Sequence, residues 1–429
     1  MLSDSPDVDA VALEGSVTGC GLRVVSLAVP ASVAGECKFA SSYEARVNGR
    51  IRMRVVVAPD KFRDSITAEL AAEAIARGFV QRAGDDAEVV TIPLADGGEG
   101  TVLVLARDGE LIDVETVDAL GRPVSARIGM LDDCTSVVEM AEASGLWRLD
   151  PSERNPMRTS TLGSGILIAS ALETGARRII VGAGGSATVD AGLGALEALG
   201  VRALNDAKNS LEPIGANLSK VAYLDTAGLD RRLVTDVSVV VACDVTAPLY
   251  GPLGAARRFA SQKGANPEEV EALERGLMHI AGIYEETFGS EVAEDPGSGA
   301  AGGLAAGLLA AVDADLVDGF DLVAQITGLD SALEGADLVI TGEGSFDSVS
   351  GKVTAGVTRH AHRLGIPVAV VAGQTGLSDE SLKPMGIEMQ LSLAELAGSV
   401  EEAKARPAEH LVTGGAQVAA WWARTGKAV

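Results

Sequence analysis

Residues 178–192 read Arg178-Ile179-Ile180-Val181-Gly182-Ala183-Gly184-Gly185-Ser186-Ala187-Thr188-Val189-Asp190-Ala191-Gly192. The run 178–181, Arg178 followed by three β-branched apolar residues, reads as a buried strand. A glycine-dense turn follows it, then a helix pattern from about 191 to 199 that stops at Gly200. Strand, turn and helix in that order form the repeating unit of a parallel α/β sheet. The same alternation starts at Met53, with residues 53–60 reading as a strand that runs into a turn. Thr67 is placed to cap a helix through Arg82, with Leu70, Ala71, Ala74, Ile75 and Phe79 on one face. Further strands are expected at 89–94, 136–140, 237–242, 337–341 and 368–372, and an Ala-rich helix at 161–174. The expected fold class is α/β, with mainly parallel sheets and helices on both faces.

In such sheets ligands gather at the carboxyl ends of the strands. Polar and glycine residues cluster there: Asp60, Asp96-Gly97-Gly98-Glu99-Gly100, Gly184-Gly185-Ser186, Asp244, and Gly342-Glu343-Gly344.

The chain has 429 residues, more than one compact core usually holds, so two domains are expected. Aromatic residues make up only 3%, which leaves the core to Ala, Val, Leu and Ile. The formal net charge of −25 opposes a nucleic-acid partner, because no basic stripe exists to displace counterions. Cys20, Cys37, Cys134 and Cys243 form no C-x-x-C pair and suggest free thiols in a reducing compartment. No apolar run reaches the length of a membrane span, and the acidic start lacks the basic residues of a secretory signal, so the cytoplasm is the expected location. Residues 1–52 show no periodicity and read as a disordered extension.

The turn at 182–192 can point successive N–H groups at one anion, and Ser186 and Thr188 add hydroxyl donors. Asp190 could accept a proton, hold Mg²⁺ or simply cap the helix that follows. The turn is not a G-x-x-x-x-G-K-[ST] loop, but it fits the looser G-x-G-x-x-A pattern of dinucleotide folds. A nicotinamide-dependent hydroxyacid oxidoreductase and a hydroxyacid-binding module without activity therefore stand as rival readings. Asp96 and Glu99, flanked by glycine, suit Mg²⁺ or substrate hydroxyls. Asp60-Lys61-Phe62-Arg63 sets one carboxylate beside two cations, and Arg63 can hold a substrate carboxylate bidentately. Gly351-Lys352 follows the turn at 342–347, where Lys352 could contact phosphate as a point charge.

Taken in order, APDKFRDSITA (58–68), PLADGGEGT (93–101), EMAEASGL (139–146), NPMRTSTLGSG (155–165), GAGGSATVDAG (182–192), VACDVTAPLYGPLGAA (241–256), FASQKGA (259–265), GSGAAGGLAAG (297–307) and LVITGEGSFD (338–347) resemble the bacterial glycerate kinase family, of the glycerate 2-kinase type. The resemblance runs over about residues 53–425. Val189 stands where that family usually has Asn.

The resemblance implies ATP, Mg²⁺ and a D-glycerate acceptor, usually giving 2-phosphoglycerate, with a 3-phosphoglycerate product as the alternative. It implies an active site in a cleft between two α/β domains. One is Rossmann-like or flavodoxin-like and discontinuous, from residues 53–95 and 295–429; the other spans 96–294. The implied roles are Asp190 and Asp60 as catalytic groups, and Gly184, Gly185, Ser186, Thr188 and Lys352 on the nucleotide phosphates. Asp60, Lys61, Arg63, Asp96 and Glu99 fall to the substrate, and Asp244 and Asp190 to the metal. No membrane partner is implied, and self-association is left open.

Overall fold

The computed structural model of the chain describes residues 53–84, 87–347 and 353–425. The extension at 1–52 and Lys352 lie outside the described residues.

Along the chain the strands are β1 (Met53–Val57), β2 (Ala87–Thr91), β3 (Glu110–Val117), β4 (Pro123–Asp132), β5 (Thr135–Glu139) and β6 (Arg178–Gly182). There follow a short pair, β7 (Arg202–Leu204) and β8 (Tyr223–Asp225), then β9 (Ser238–Cys243), β10 (Asp315–Asp318) and β11 (Leu338–Thr341). The last are β12 (Ser345–Phe346), β13 (Val368–Ala372), β14 (Gln374–Thr375) and β15 (Ile387–Ser392). Among the described residues they form two main sheets. One has the order β15-β13-β11-β1-β2 and is parallel throughout. The other has the order β10-β9-β6-β5-β4-β3, parallel from β10 to β5 and antiparallel through β4 and β3.

The chain leaves the first sheet after β2 and returns to it at β11. The boundary at 295 drawn from sequence falls short of this return, because β10 pairs in parallel with β9, Asp315 opposite Val240. The β3–β4 hairpin was not among the expected elements.

Alternation along each strand divides the core. Val55 and Val57 of β1 pack outward with Ile75 and Phe79 of the helix Ala68–Ala83 and with Val418 and Trp422 of the helix Pro407–Thr425. Val56 points the other way, into an apolar layer that also holds Val137, Ile180 and Val240 of the second sheet. Both sheets therefore contribute to one shared layer and belong to one compact unit. The helix Ala68–Ala83 starts as expected, with the Thr67 hydroxyl accepting from the Leu70 N–H at 3.4 Å. Leu70 itself is 51% exposed, since it sits one position off the buried stripe.

Candidate active site

The strand ends converge. Asp60 follows β1, Asp96 follows β2 and Glu343 follows β11, and β11-β1-β2 are consecutive in one parallel sheet. Parallel pairing puts all three carboxyl ends on one edge, which is why residues 36 and 283 positions away from Asp60 can meet it. A cavity of about 260 Å³ is lined by Asp60, Lys61, Arg63, Asp96, Glu343 and Gly344, among others. A larger one, of about 690 Å³, shares Asp60, Lys61 and Arg63 and adds Glu99, Glu139 and Trp147.

Asp60 is buried, and its carboxylate accepts from the Lys61 N–H at 2.7 Å and faces the Lys61 ammonium at 3.8 Å. Burial raises its carboxyl pKa to about 7; Lys61 opposes the rise, while Asp96 and Glu343 add to it. For Lys61, burial works against the charge, but Asp60, Asp96 and Glu99 outweigh it and hold the ammonium pKa above its usual value. Arg63 is exposed and lines the same cavity, in the turn closed by the Phe62–Ile66 bridge. The structure thus brings Asp60, Lys61, Arg63, Asp96 and Glu99 together.

The two glycine turns touch. A Cβ on Gly184 would lie 2.5 Å from Gly98 Cα, and one on Gly182 would lie 2.5 Å from the Gly97 carbonyl oxygen. Only glycine permits this approach. The Asp96–Gly100 turn is fixed further by the Asp96 carboxylate, which accepts from the Gly98 N–H at 3.0 Å. Glu139, at the end of β5, accepts from the Gly100 and Val102 N–H groups at 3.0 and 2.5 Å and so caps the short helix Thr101–Leu105. Burial raises the Glu139 carboxyl pKa to about 7 in spite of those donors.

Other expected residues sit apart from the two cavities. Asp190 is fully buried and lines neither of them. Its carboxylate accepts from the Thr161 N–H at 2.7 Å and hydroxyl at 2.8 Å, and from the Gly192 and Gly194 N–H groups at 3.2 Å each. Burial raises its pKa against the pull of those donors. This is the geometry of the capping alternative: one carboxylate ties the start of the helix Leu162–Glu173 to that of the helix Leu193–Ala198. Asp244 is exposed just past β9. Ser186 and Thr188 are buried, and Ser186 accepts from Lys263 Nζ at 2.6 Å.

Lys263 and Glu139 were not singled out from the sequence, and Glu343 was noted only as part of a strand-end cluster, without a role. Each lies in a segment that carried the family resemblance, but its burial arises from contacts far along the chain.

No group of three or more His, Cys, Asp or Glu side chains converges as a metal cage among the described residues. Mg²⁺ that keeps waters and binds phosphate needs only one or two carboxylates, and this oxygen-rich strand edge fits that demand.

The glycerate kinase family model matches residues 55–423. A glycerate kinase of Bacillus subtilis is 43% identical over 364 residues, 84% of this chain and 95% of its own length. A glycerate 2-kinase of Escherichia coli K12 is 39% identical over 356 residues, 82% of this chain and 93% of its own. A crystal structure from Salmonella typhimurium LT2, assigned as a glycerate kinase 2, superposes with a TM-score of 0.75 at 37% identity, covering 88% of this chain and all of that one. A family match over so much of the chain, on a fold with this strand-end acid site, makes the chain a member of the glycerate kinase family.

Proposed function

We propose that the protein transfers the γ-phosphoryl group of ATP to D-glycerate, giving 2-phosphoglycerate and ADP. The observation that carries this reading is the buried Asp60–Lys61 pair at the β1 end, facing a cavity of about 260 Å³ together with Arg63. That volume suits a small hydroxy acid, and the pair supplies a proton acceptor and a fixed cation in one place. The relative described as a glycerate 2-kinase favours the 2-phosphate.

Phosphoryl transfer needs in-line positioning, neutralised charge and an oriented hydroxyl rather than covalent chemistry from the protein. Arg63 grips the glycerate carboxylate. Asp60, ionised, accepts a hydrogen bond from the attacking hydroxyl and takes its proton as the bond to phosphorus forms. Lys61 holds Asp60 in place and offsets the charge of Asp96 and Glu99. The turn Gly184–Thr188, touching the Asp96–Gly100 turn, receives the nucleotide phosphates. Asp96 and Asp244 are the carboxylates that would hold Mg²⁺, which when bound neutralises phosphate charge. Asp190 supports the turn from below.

The test is ADP release by the full chain with ATP and Mg²⁺. The reading expects release that depends on D-glycerate and falls about a hundredfold or more in Asp60→Asn. Release indifferent to glycerate contradicts it.

A further inference from the structure

Lys263 is only 4% exposed. It closes the short turn Ser261–Lys263 and donates to Ser186 Oγ at 2.6 Å and to the Thr188 carbonyl at 2.8 Å. Both partners lie in the glycine-rich turn, 77 and 75 residues away. A buried ammonium is costly unless its surroundings compensate it, and these two partners are neutral. Burial accordingly lowers its pKa to about 7, with the Asp190 carboxylate pulling the other way. A leucine or methionine would fill the same space without this cost. A cation kept here points to a use for its charge.

Ser186 shows what the use is. A hydroxyl carries one proton and accepts through its lone pairs. With Lys263 occupying an acceptor position, the Ser186 proton is free to be donated, and among the described residues no acceptor takes it. An ammonium that polarises a hydroxyl with an uncommitted proton makes a charge-assisted donor for an anion. The hydroxyl belongs to a turn that touches Gly98, and through Gly98 the loop carrying Asp96. In a chain of net charge −25, a polyphosphate oxygen at Ser186 would favour the charged form of Lys263, which then offers positive potential without placing a lysine in solvent.

We propose that Lys263 is a positioning residue for phosphoryl transfer: it holds Ser186 so that the hydroxyl donates to a phosphate oxygen of the bound nucleotide. The proposal rests on the kinase reading above for the identity of the ligand.

The test compares wild type, Ser186→Ala, Lys263→Gln and the double variant in the full chain. The readouts are KM for ATP and for D-glycerate, kcat, the dissociation constant of ADP by calorimetry, and melting temperature. Each single variant is expected to raise the KM for ATP and weaken ADP about tenfold or more. The KM for D-glycerate should stay within about twofold, and the double variant should be no worse than the weaker-binding single, because both residues act through one donor. Should Lys263→Gln unfold, Lys263→Met, which fills the same space without the ammonium, replaces it in the comparison with Ser186→Ala. ADP affinity unchanged in Ser186→Ala, or additive losses in the double variant, overturns the proposal. Wild type that binds ADP but leaves D-glycerate untouched overturns the glycerate reading instead, and the ADP comparison still decides on Lys263.

Discussion

The carboxylate of Asp190 takes both the N–H and the hydroxyl proton of Thr161, 29 residues earlier in the chain, at 2.7 and 2.8 Å. Thr161 Oγ1 in turn accepts from the Ala195 N–H at 2.9 Å, so the two residues close a ring of bonds between two helix starts. In Asp190→Asn the amide nitrogen cannot accept, and at least one buried donor loses its partner, at a cost of about 1–3 kcal/mol. The expected outcome is a lowered melting temperature with kcat at saturating substrates within about tenfold of wild type. A fall of about a hundredfold in kcat with unchanged melting would instead give Asp190 a part in the chemistry.

Asp60 sets the pH dependence. Its carboxyl pKa is raised to about 7, and only the ionised form can accept a proton from the acceptor hydroxyl. The kcat/KM for glycerate should therefore rise with pH through about 7 and level off above it. Asp60→Asn should remove this acid limb along with most of the activity. An unchanged limb in a residual-activity profile assigns the titration to another group.

Glu139 makes a separate prediction about stability. Its pKa is about 7 folded against a reference value of 4.5. Between those values the folded state binds more protons than the unfolded state, so this contribution is fully present below about pH 4.5 and is lost as pH rises through about 7. Glu139→Gln keeps one carbonyl acceptor and leaves one of the Gly100 and Val102 N–H groups without its partner, so it should melt lower overall, yet show a smaller fall in melting temperature between pH 5 and pH 8 than wild type. An equal fall in both proteins contradicts the assignment.

These residues also mark where the sequence could be read and where it could not. β6 and β9 were legible because strands buried on both faces are unbroken apolar runs. The helix Ala68–Ala83 announced itself through Thr67 and its apolar spacing. The β3–β4 hairpin was passed over although its trace is there: Ile112, Val114 and Thr116 alternate with the exposed Asp113 and Glu115, the period of a half-buried strand rather than the unbroken apolar run of the central strands. In the site, Asp60, Lys61, Arg63, Asp96 and Glu99 stood out because each sits at the end of a recognisable strand or in a glycine turn. Lys263 did not, since a lysine near a short turn reads as surface until the fold buries it under residues 186–188. The bonds of Asp190 were hidden for the same reason: half its donors come from Thr161.

The contact between the glycine turns is testable by size alone. In Gly184→Ala the new methyl would meet Gly98 Cα at 2.5 Å, so the turns must separate. A stability loss of about 1–3 kcal/mol and a lower kcat/KM for both substrates are expected. Gly282→Ala is the control, in the exposed face of the helix Pro267–Phe288 with nothing within 4 Å, and should be neutral or slightly stabilising. Equal behaviour of the two variants contradicts the close approach.

Phosphoryl transfer to glycerate is read directly by ³¹P NMR of the full chain with ATP, Mg²⁺ and D-glycerate. The expected spectrum loses the γ-phosphate signal, gains ADP, and gains a phosphomonoester resonance that matches authentic 2-phosphoglycerate and is absent when glycerate is omitted. A resonance matching 3-phosphoglycerate, or inorganic phosphate alone, would contradict it.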